Sequence, residues 1–201
     1  MATILLARHG EADWNREGRW LGQADRPLTE RGRQQALALK KTLSGVEIDA
    51  AFSSDLVRAY ETALIAIGDR PLPVGRVAAL RERSFGAWDG LQDEEIPRRF
   101  PEAYDAWLQG LTPGATDAER YEALMERVIR GLREIAEAHR NGIVLVVAHS
   151  GPLAVVHAAA SGIDFLTDRK SIPETPNGSM SIVSVVEDSV TWAEAKLLRL
   201  G

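Results

Sequence analysis

The chain of 201 residues has no cysteine. Disulfides, thiolate metal centres and cysteine nucleophiles are therefore excluded by inventory. Long apolar runs are missing too, and the continuous apolar stretches fall far short of the ~20 residues a membrane helix needs. The first residues, MATILLARHG, have neither a basic start nor an extended apolar segment, so a cytoplasmic protein with no membrane contact is expected. Lysine is scarce, limited to Lys40, Lys41, Lys170 and Lys196, and the net charge is -5. Nucleic acid is not an expected partner, because such binding needs a basic face that releases counterions. There is no P-loop, no dinucleotide glycine fingerprint and no clustered metal-ligand motif, so neither a cofactor nor a metal is expected. Any anion site has to be built locally, and the material for it is arginine.

Apolar residues make up 45% of the chain and charged residues 26%, the proportions of a globular protein, and the length suits one domain. The segments TILLA (3–7), IDAAFSS (48–54) and GIVLVVA (142–148) are short, apolar and bounded by turn or polar residues, as strands buried on both faces are. Between them, LTERGRQQALALKKTL places Leu37, Leu39 and Leu43 near one stripe behind a Thr29 cap. SSDLVRAYETALIAIG runs from a cap at Ser54 or Asp55 to Gly68. Strands alternating with helices predict an α/β fold, a three-layer sandwich with a mostly parallel central sheet flanked by helices. From about 84 to 140 the chain becomes charged and aromatic, with helices expected in DEEIPRRFPEAYDAWLQG and AERYEALMERVIRGLREIAEAH and a loop at LTPGATD. This stretch reads as a helical insertion over the carboxyl-terminal edge of the strands, within a single domain 1–201. Near the end, SMSIVSVVED and VTWAEAKLLRL read as a strand pair joined at 187–189.

In open parallel sheets ligands bind beyond the carboxyl ends of the strands. Two apolar strands here empty directly into a histidine, one into Arg8-His9-Gly10 and the other into His149-Ser150-Gly151. As neighbours they would bring two imidazoles to one edge. Arg58 falls in the first turn of the helix after the 48–54 strand, where a cation opposes the helix dipole. An anion lying between them makes sense of that misfit. Arg8 and Arg58 offer planar forks suited to phosphate oxygens, and the amides of Gly10 and Gly151 add to them. A phosphate ester held there still needs a proton for its leaving oxygen, which points to Glu82 in LRERSFGAWDGL. Spacing alone instead makes Glu82 a solvated partner of Arg81 and Arg83. A histidine after a strand is, on its own, more often a hydrogen-bonded turn residue than a catalyst. His139 and His157 are read as structural, and Trp14, Trp20 and Trp88 as filling the seam between core and insertion.

Taken together, LLARHGEADWN, GRWLGQADRPLTERG, SSDLVRAYETA, RERSFGAWDGL and LVVAHSG resemble the histidine phosphatase superfamily in its phosphoglycerate-mutase-like branch, in that family's order and over nearly the whole chain. The resemblance implies a metal-independent phosphomonoesterase that hydrolyses a small phosphorylated metabolite through a phosphohistidine. His9 would be the nucleophile, Glu82 the general acid and then base, and His149 a third catalytic group. Arg8, Asn15, Gly22, Gln23, Arg58, Ser150 and Gly151 would hold phosphate and substrate. The crowding arginines should keep His9 neutral, with its second ring nitrogen donating to a backbone carbonyl, whereas bound phosphate should favour a protonated His149.

A phosphoglycerate mutase is the alternative within the family, and departures from the mutase pattern weigh against it. GLQDEE puts Asp93 near the position of a mutase lysine, AYDAWLQGLTPG supplies no arginine pair, and Arg98 and Arg99 are displaced. Phe85 stands where tyrosine is usual, and Glu119 in PGATDAER stands in for the glutamate of a Gly-Gly-Glu-Ser stretch common in the phosphatases. A pocket walled by Trp14, Gln23, Phe85 and Trp88 is expected, with a small phosphorylated metabolite or inorganic phosphate as partner and a homodimer compatible with it. An acyl-transfer elbow at Ser150 is disfavoured because Pro152 occupies a glycine position. A non-catalytic phosphate binder would suit a relative lacking the histidine or the acid, and both are present here.

Overall fold

The computed structural model describes residues 2–112, 114–186 and 189–190. Its sheet contains β1 (Ala2–Arg8), β2 (Ala50–Ser53), β3 (Val74–Arg76), β4 (Ile143–Ala148), β5 (Met180–Val186) and the short β6 (Ser189–Val190). The strand order is β3-β2-β4-β1-β5-β6. The first four in that order are mutually parallel, β5 runs antiparallel to β1, and β6 antiparallel to β5.

The strands read as unbroken apolar runs because helices cover both faces. Ile4, Leu6, Val144 and Val146 join Leu124, Val128 and Leu132 of α6 (Tyr121–Ala138) and Leu153 and Val156 of α7 (Ser150–Ser161). The alternate residues Leu5, Ala7, Leu145 and Val147 face Leu39 of α2 (Glu30–Thr42) and Ala59 and Ala63 of α3 (Val57–Ile67). The expected sandwich is thus the observed fold. A four-residue α1 (Asp13–Arg16) follows β1.

Thr29 caps α2 as expected, its hydroxyl accepting the Gly32 amide at 3.0 Å. The start of α3 differs from the expected Ser54 or Asp55 cap. Leu56 is the N-cap residue, and the Val57 amide donates instead to Asp25 Oδ1 at 2.6 Å. Asp55 is drawn away by Arg81, 2.7 Å from its carboxylate.

The helix expected across DEEIPRRFPEAYDAWLQG is two helices, α4 (Glu95–Arg99) and α5 (Pro101–Leu108), parted at Phe100. Pro101 has no amide proton to continue α4 and suits the first position of α5. Trp88, Leu91, Ile96, Ala115 and Ala118 form a separate apolar cluster with Trp20, Phe85, Phe100, Tyr104 and Trp107 packed around it. The following helix, α6, packs through Leu124, Val128 and Leu132 into the sandwich core. Within the expected terminal strand pair, β5 and β6 are antiparallel, while residues 187–188 and 191–201 lie outside the described residues. No helix among the described residues is long and apolar enough to cross a membrane.

Candidate active site

In the β1–β4 register Arg8 stands opposite Ala148, so His9 and His149 leave the sheet side by side. Their ring centroids are 5.0 Å apart with planes at 58°. His9 Nδ1 lies 2.6 Å from the Gly10 carbonyl, and its Nε2 lies 3.3 Å from Arg58 Nε. A guanidinium N–H can only donate, so Nε2 must accept with its lone pair and Nδ1 carries the proton. Burial, with Arg58 and then Arg8 adding to it, holds the His9 pKa well below the usual histidine range. The ring is neutral, as the crowding arginines suggested.

Arg58 is buried in the first turn of α3, where Nη1 donates to the Ala24 carbonyl at 2.7 Å and Nη2 to that of Gly22 at 2.8 Å. Burial pulls its pKa down to about 10, which leaves it charged. Gly22 adopts φ +47°, and a Cβ there would lie 1.9 Å from Asp89 Oδ1, so only glycine fits the turn that presents this carbonyl. Arg8 Nη1 donates to Thr175 O at 2.5 Å. Arg8 Nε and both ring nitrogens of His149 are buried without a protein partner. Each such atom costs on the order of 1–3 kcal/mol, and an anion bound beside His9 would offset it at Arg8 Nε and at the one His149 nitrogen that carries a proton. Burial first, then Arg58, His9 and Arg8, keep the His149 pKa well below its usual value.

Glu82 is buried rather than a surface ion-pair partner. Its Oε1 accepts the Arg83 amide at 2.9 Å and the Gly151 amide, in the first turn of α7, at 3.0 Å. Its carbonyl accepts Gln23 Nε2 at 3.1 Å and Arg127 Nη2 at 3.0 Å. Arg127 also donates to the carbonyls of Ala79 at 2.8 Å and Arg81 at 2.7 Å, and is paired with Glu119 at 2.6 Å.

A cavity of about 360 Å³ opens onto this edge, lined by Arg8, His9, Asn15, Gly22, Arg58, Glu82, Ser150 and Gly151. All the expected site residues therefore gather there except two. His149 packs beside His9 without lining the cavity, and Gln23 turns away to the Glu82 carbonyl. Asn15 Oδ1 is taken by the Ala12 amide at 3.0 Å, so its NH₂ is the group offered to a ligand. Of the expected pocket walls only Phe85 lines the cavity. Trp88 is fully buried in the insertion cluster, and Trp14 lies under the Arg26 guanidinium, 4.7 Å away. Trp20, assigned to the seam, lines the cavity together with Trp107 and Tyr121.

Sequence reasoning missed the supports that reach in from a distance. Asn177 Nδ2 and the Gly178 amide each donate to the His9 carbonyl at 3.1 Å, and Thr62 Oγ1 accepts the Gly10 amide at 3.0 Å. PNGS at 176–179 signals a turn, but nothing local says where it docks.

An α/β sheet edge carrying this constellation is that of a phosphatase with the phosphoglycerate-mutase-like fold, and comparison with known proteins gives the family. The chain belongs to the histidine phosphatase superfamily (branch 1), whose family model matches residues 4–196. It is 34% identical over 167 residues to phosphoserine phosphatase 1 of Hydrogenobacter thermophilus, covering 82% of this chain and 78% of that one. It is 36% identical over 163 residues to the adenosylcobalamin/alpha-ribazole phosphatase of Escherichia coli, covering 80% and 79%. The solved structure of Bacillus stearothermophilus YhfR superposes with a TM-score of 0.89 at 34% identity, covering 98% of this chain and 96% of that one.

Proposed function

We propose that the protein is a metal-independent phosphomonoesterase acting on a small phosphorylated metabolite through a phosphohistidine on His9. The observation that carries the reading is the fixed tautomer of His9: Nδ1 is tied to Gly10 O, and the Nε2 lone pair lies beside Arg58, at the cavity Glu82 also lines. Nε2 attacks phosphorus and the P–O bond to the leaving group breaks, while the Glu82 carboxyl gives its proton to the departing oxygen. Oε1 already accepts two amides, so in this reading the transferred proton is one carried on Oε2. Water then attacks the phosphohistidine, the Glu82 carboxylate takes its proton, the P–N bond returns its electron pair to Nε2, and phosphate leaves. Arg8, Arg58 and the Asn15 NH₂, which line the cavity, would surround the equatorial oxygens, with His149 beside His9 as a further donor; stabilising those oxygens is most of what phosphoryl transfer requires of a protein.

Glu82→Gln tests the assignment. An alkyl ester, whose oxygen must be protonated to leave, should be hydrolysed ~10²–10⁴-fold more slowly, and a nitrophenyl ester should be affected far less in the phosphorylation step. Hydrolysis of the alkyl ester at the wild-type rate overturns it.

A further inference from the structure

The cavity continues past the phosphate end into a space lined by Leu21, Trp20, Phe85, Trp107, Tyr121 and Phe165. The indole N–H groups of these aromatics are committed to protein partners, which leaves the Tyr121 hydroxyl as the one polar tip with a proton to give. Trp20 Nε1 donates to the Asp93 carboxylate, and Trp107 Nε1 donates to the Tyr121 hydroxyl at 3.3 Å. Edge-to-face packing fixes the rings, with Trp20 centroids 4.6 Å from Phe85 and 5.5 Å from Trp107. A ligand there meets mostly carbon.

The two arginines that line the same space are also held by protein groups. Arg19 pairs with Glu17 at 2.9 Å and Glu95 at 3.4 Å, and donates to the Gly90 carbonyl at 2.8 Å. Arg83 donates to the Glu119 carbonyl at 3.1 Å and lies 4.6 Å from the Phe85 ring and 4.5 Å from the Tyr121 ring, packed between the two aromatics. A leaving group carrying a carboxylate or an ammonium would give up water for a wall made mostly of aromatic carbon, which is costly. An apolar one gains in proportion to the area it buries.

We propose that the preferred substrates are phosphate monoesters of aromatic or bulky apolar alcohols, with the leaving group seated against Trp20, Phe85, Trp107 and Tyr121. This rests on the phosphatase reading above and adds the identity of the leaving group. It sets the chain apart in specificity from its phosphoserine phosphatase relatives, whose names specify a zwitterionic leaving group.

The test compares kcat/KM for 2-phenylethyl phosphate and n-hexyl phosphate with that for O-phosphoserine and 3-phosphoglycerate. All four release alcohols, so none has the advantage of an aryl leaving group. Hydrolysis of the phosphohistidine is common to all, so kcat/KM isolates capture and first transfer. The apolar esters should be favoured at least about tenfold, the scale of discrimination that apolar pockets reach. Trp107→Ala should bring that ratio towards one, mainly through KM for the apolar esters. O-phosphoserine or 3-phosphoglycerate turned over as well as or better than the apolar pair overturns the inference and leaves the phosphatase reading standing. Turnover of none of the four, with no phosphohistidine formed, overturns both.

Discussion

The amide of Gly151 and the carboxylate of Glu82 are 3.0 Å apart, and a Cβ built on residue 151 would stand 2.3 Å from Glu82 Oε1. The absence of a side chain at the start of α7 therefore decides where the proposed acid can sit. Alanine is the better helix former by about 1 kcal/mol, so Gly151→Ala should not weaken the helix itself. It should still lower kcat on alkyl esters by roughly 100-fold by displacing the carboxylate, as loss of general acid catalysis does. Steady-state kinetics alongside thermal melting checks this, with activity lost and the melting temperature held within a few degrees.

Arg127 holds three carbonyls of the segment that ends in Glu82, and its side chain and that of Glu119 are each only 16% exposed. Removing one partner of so enclosed a pair leaves the other uncompensated, so Arg127→Leu should cost about 3 kcal/mol of stability in urea titrations. It should also lower kcat more than it raises KM, because the Glu82 backbone loses a donor while the phosphate clamp is untouched. An unchanged urea midpoint with unchanged kcat would show that the Gln23 bond suffices.

Asn177 and Gly178 grip the carbonyl of the proposed nucleophile from the loop before β5. Asn177→Ala should cost about 1 kcal/mol of stability, the net worth of one hydrogen bond. It should reduce the rate of phosphoenzyme formation severalfold in single-turnover experiments, while inorganic phosphate binds nearly as before.

Three buried histidines contribute to the loss of stability between pH 7 and pH 5. Burial, reinforced by the arginines at two of them, places His9 and His149 well below the ordinary value and His157 below it. Below about pH 6.5 the unfolded chain therefore binds protons that the folded chain refuses, and stability present above that pH is lost as the pH falls. The loss approaches ~1.4 kcal/mol per pH unit for each fully resistant group. Asp89 works in the opposite sense. Burial pushes its pKa up to about 6, so its contribution is present below pH 3.8 and is lost as the pH rises through 6. Three groups outweigh one, and the urea midpoint should fall steadily from pH 7 to pH 5. A midpoint that rises on acidification contradicts this.

The sheet edge was legible in the sequence because the β1 and β4 runs each end in a histidine and glycine, and parallel pairing in register leaves no other place for the rings. Arg58 was legible as a cation at the wrong end of a helix. The true start of α3 was not, because its capping carboxylate belongs to Asp25, on a distant loop. Arg127, Asn177 and Thr62 escaped for the same reason. Each acts through a backbone carbonyl or amide far away in the chain, and nothing in the local pattern records the destination. Trp20, read like Trp88 as filling the seam, lines the cavity instead, because nothing local in the sequence says which aromatic faces a neighbour will cover.

The central claim, that His9 Nε2 becomes the phosphoryl carrier, is tested most directly by rapid-quench labelling with a ³²P-phosphate ester. Wild-type protein should yield an acid-labile, base-stable label within one turnover, and His9→Ala should yield none and lose hydrolysis. Equal labelling of His9→Ala, or its turnover at the wild-type rate, would contradict the account.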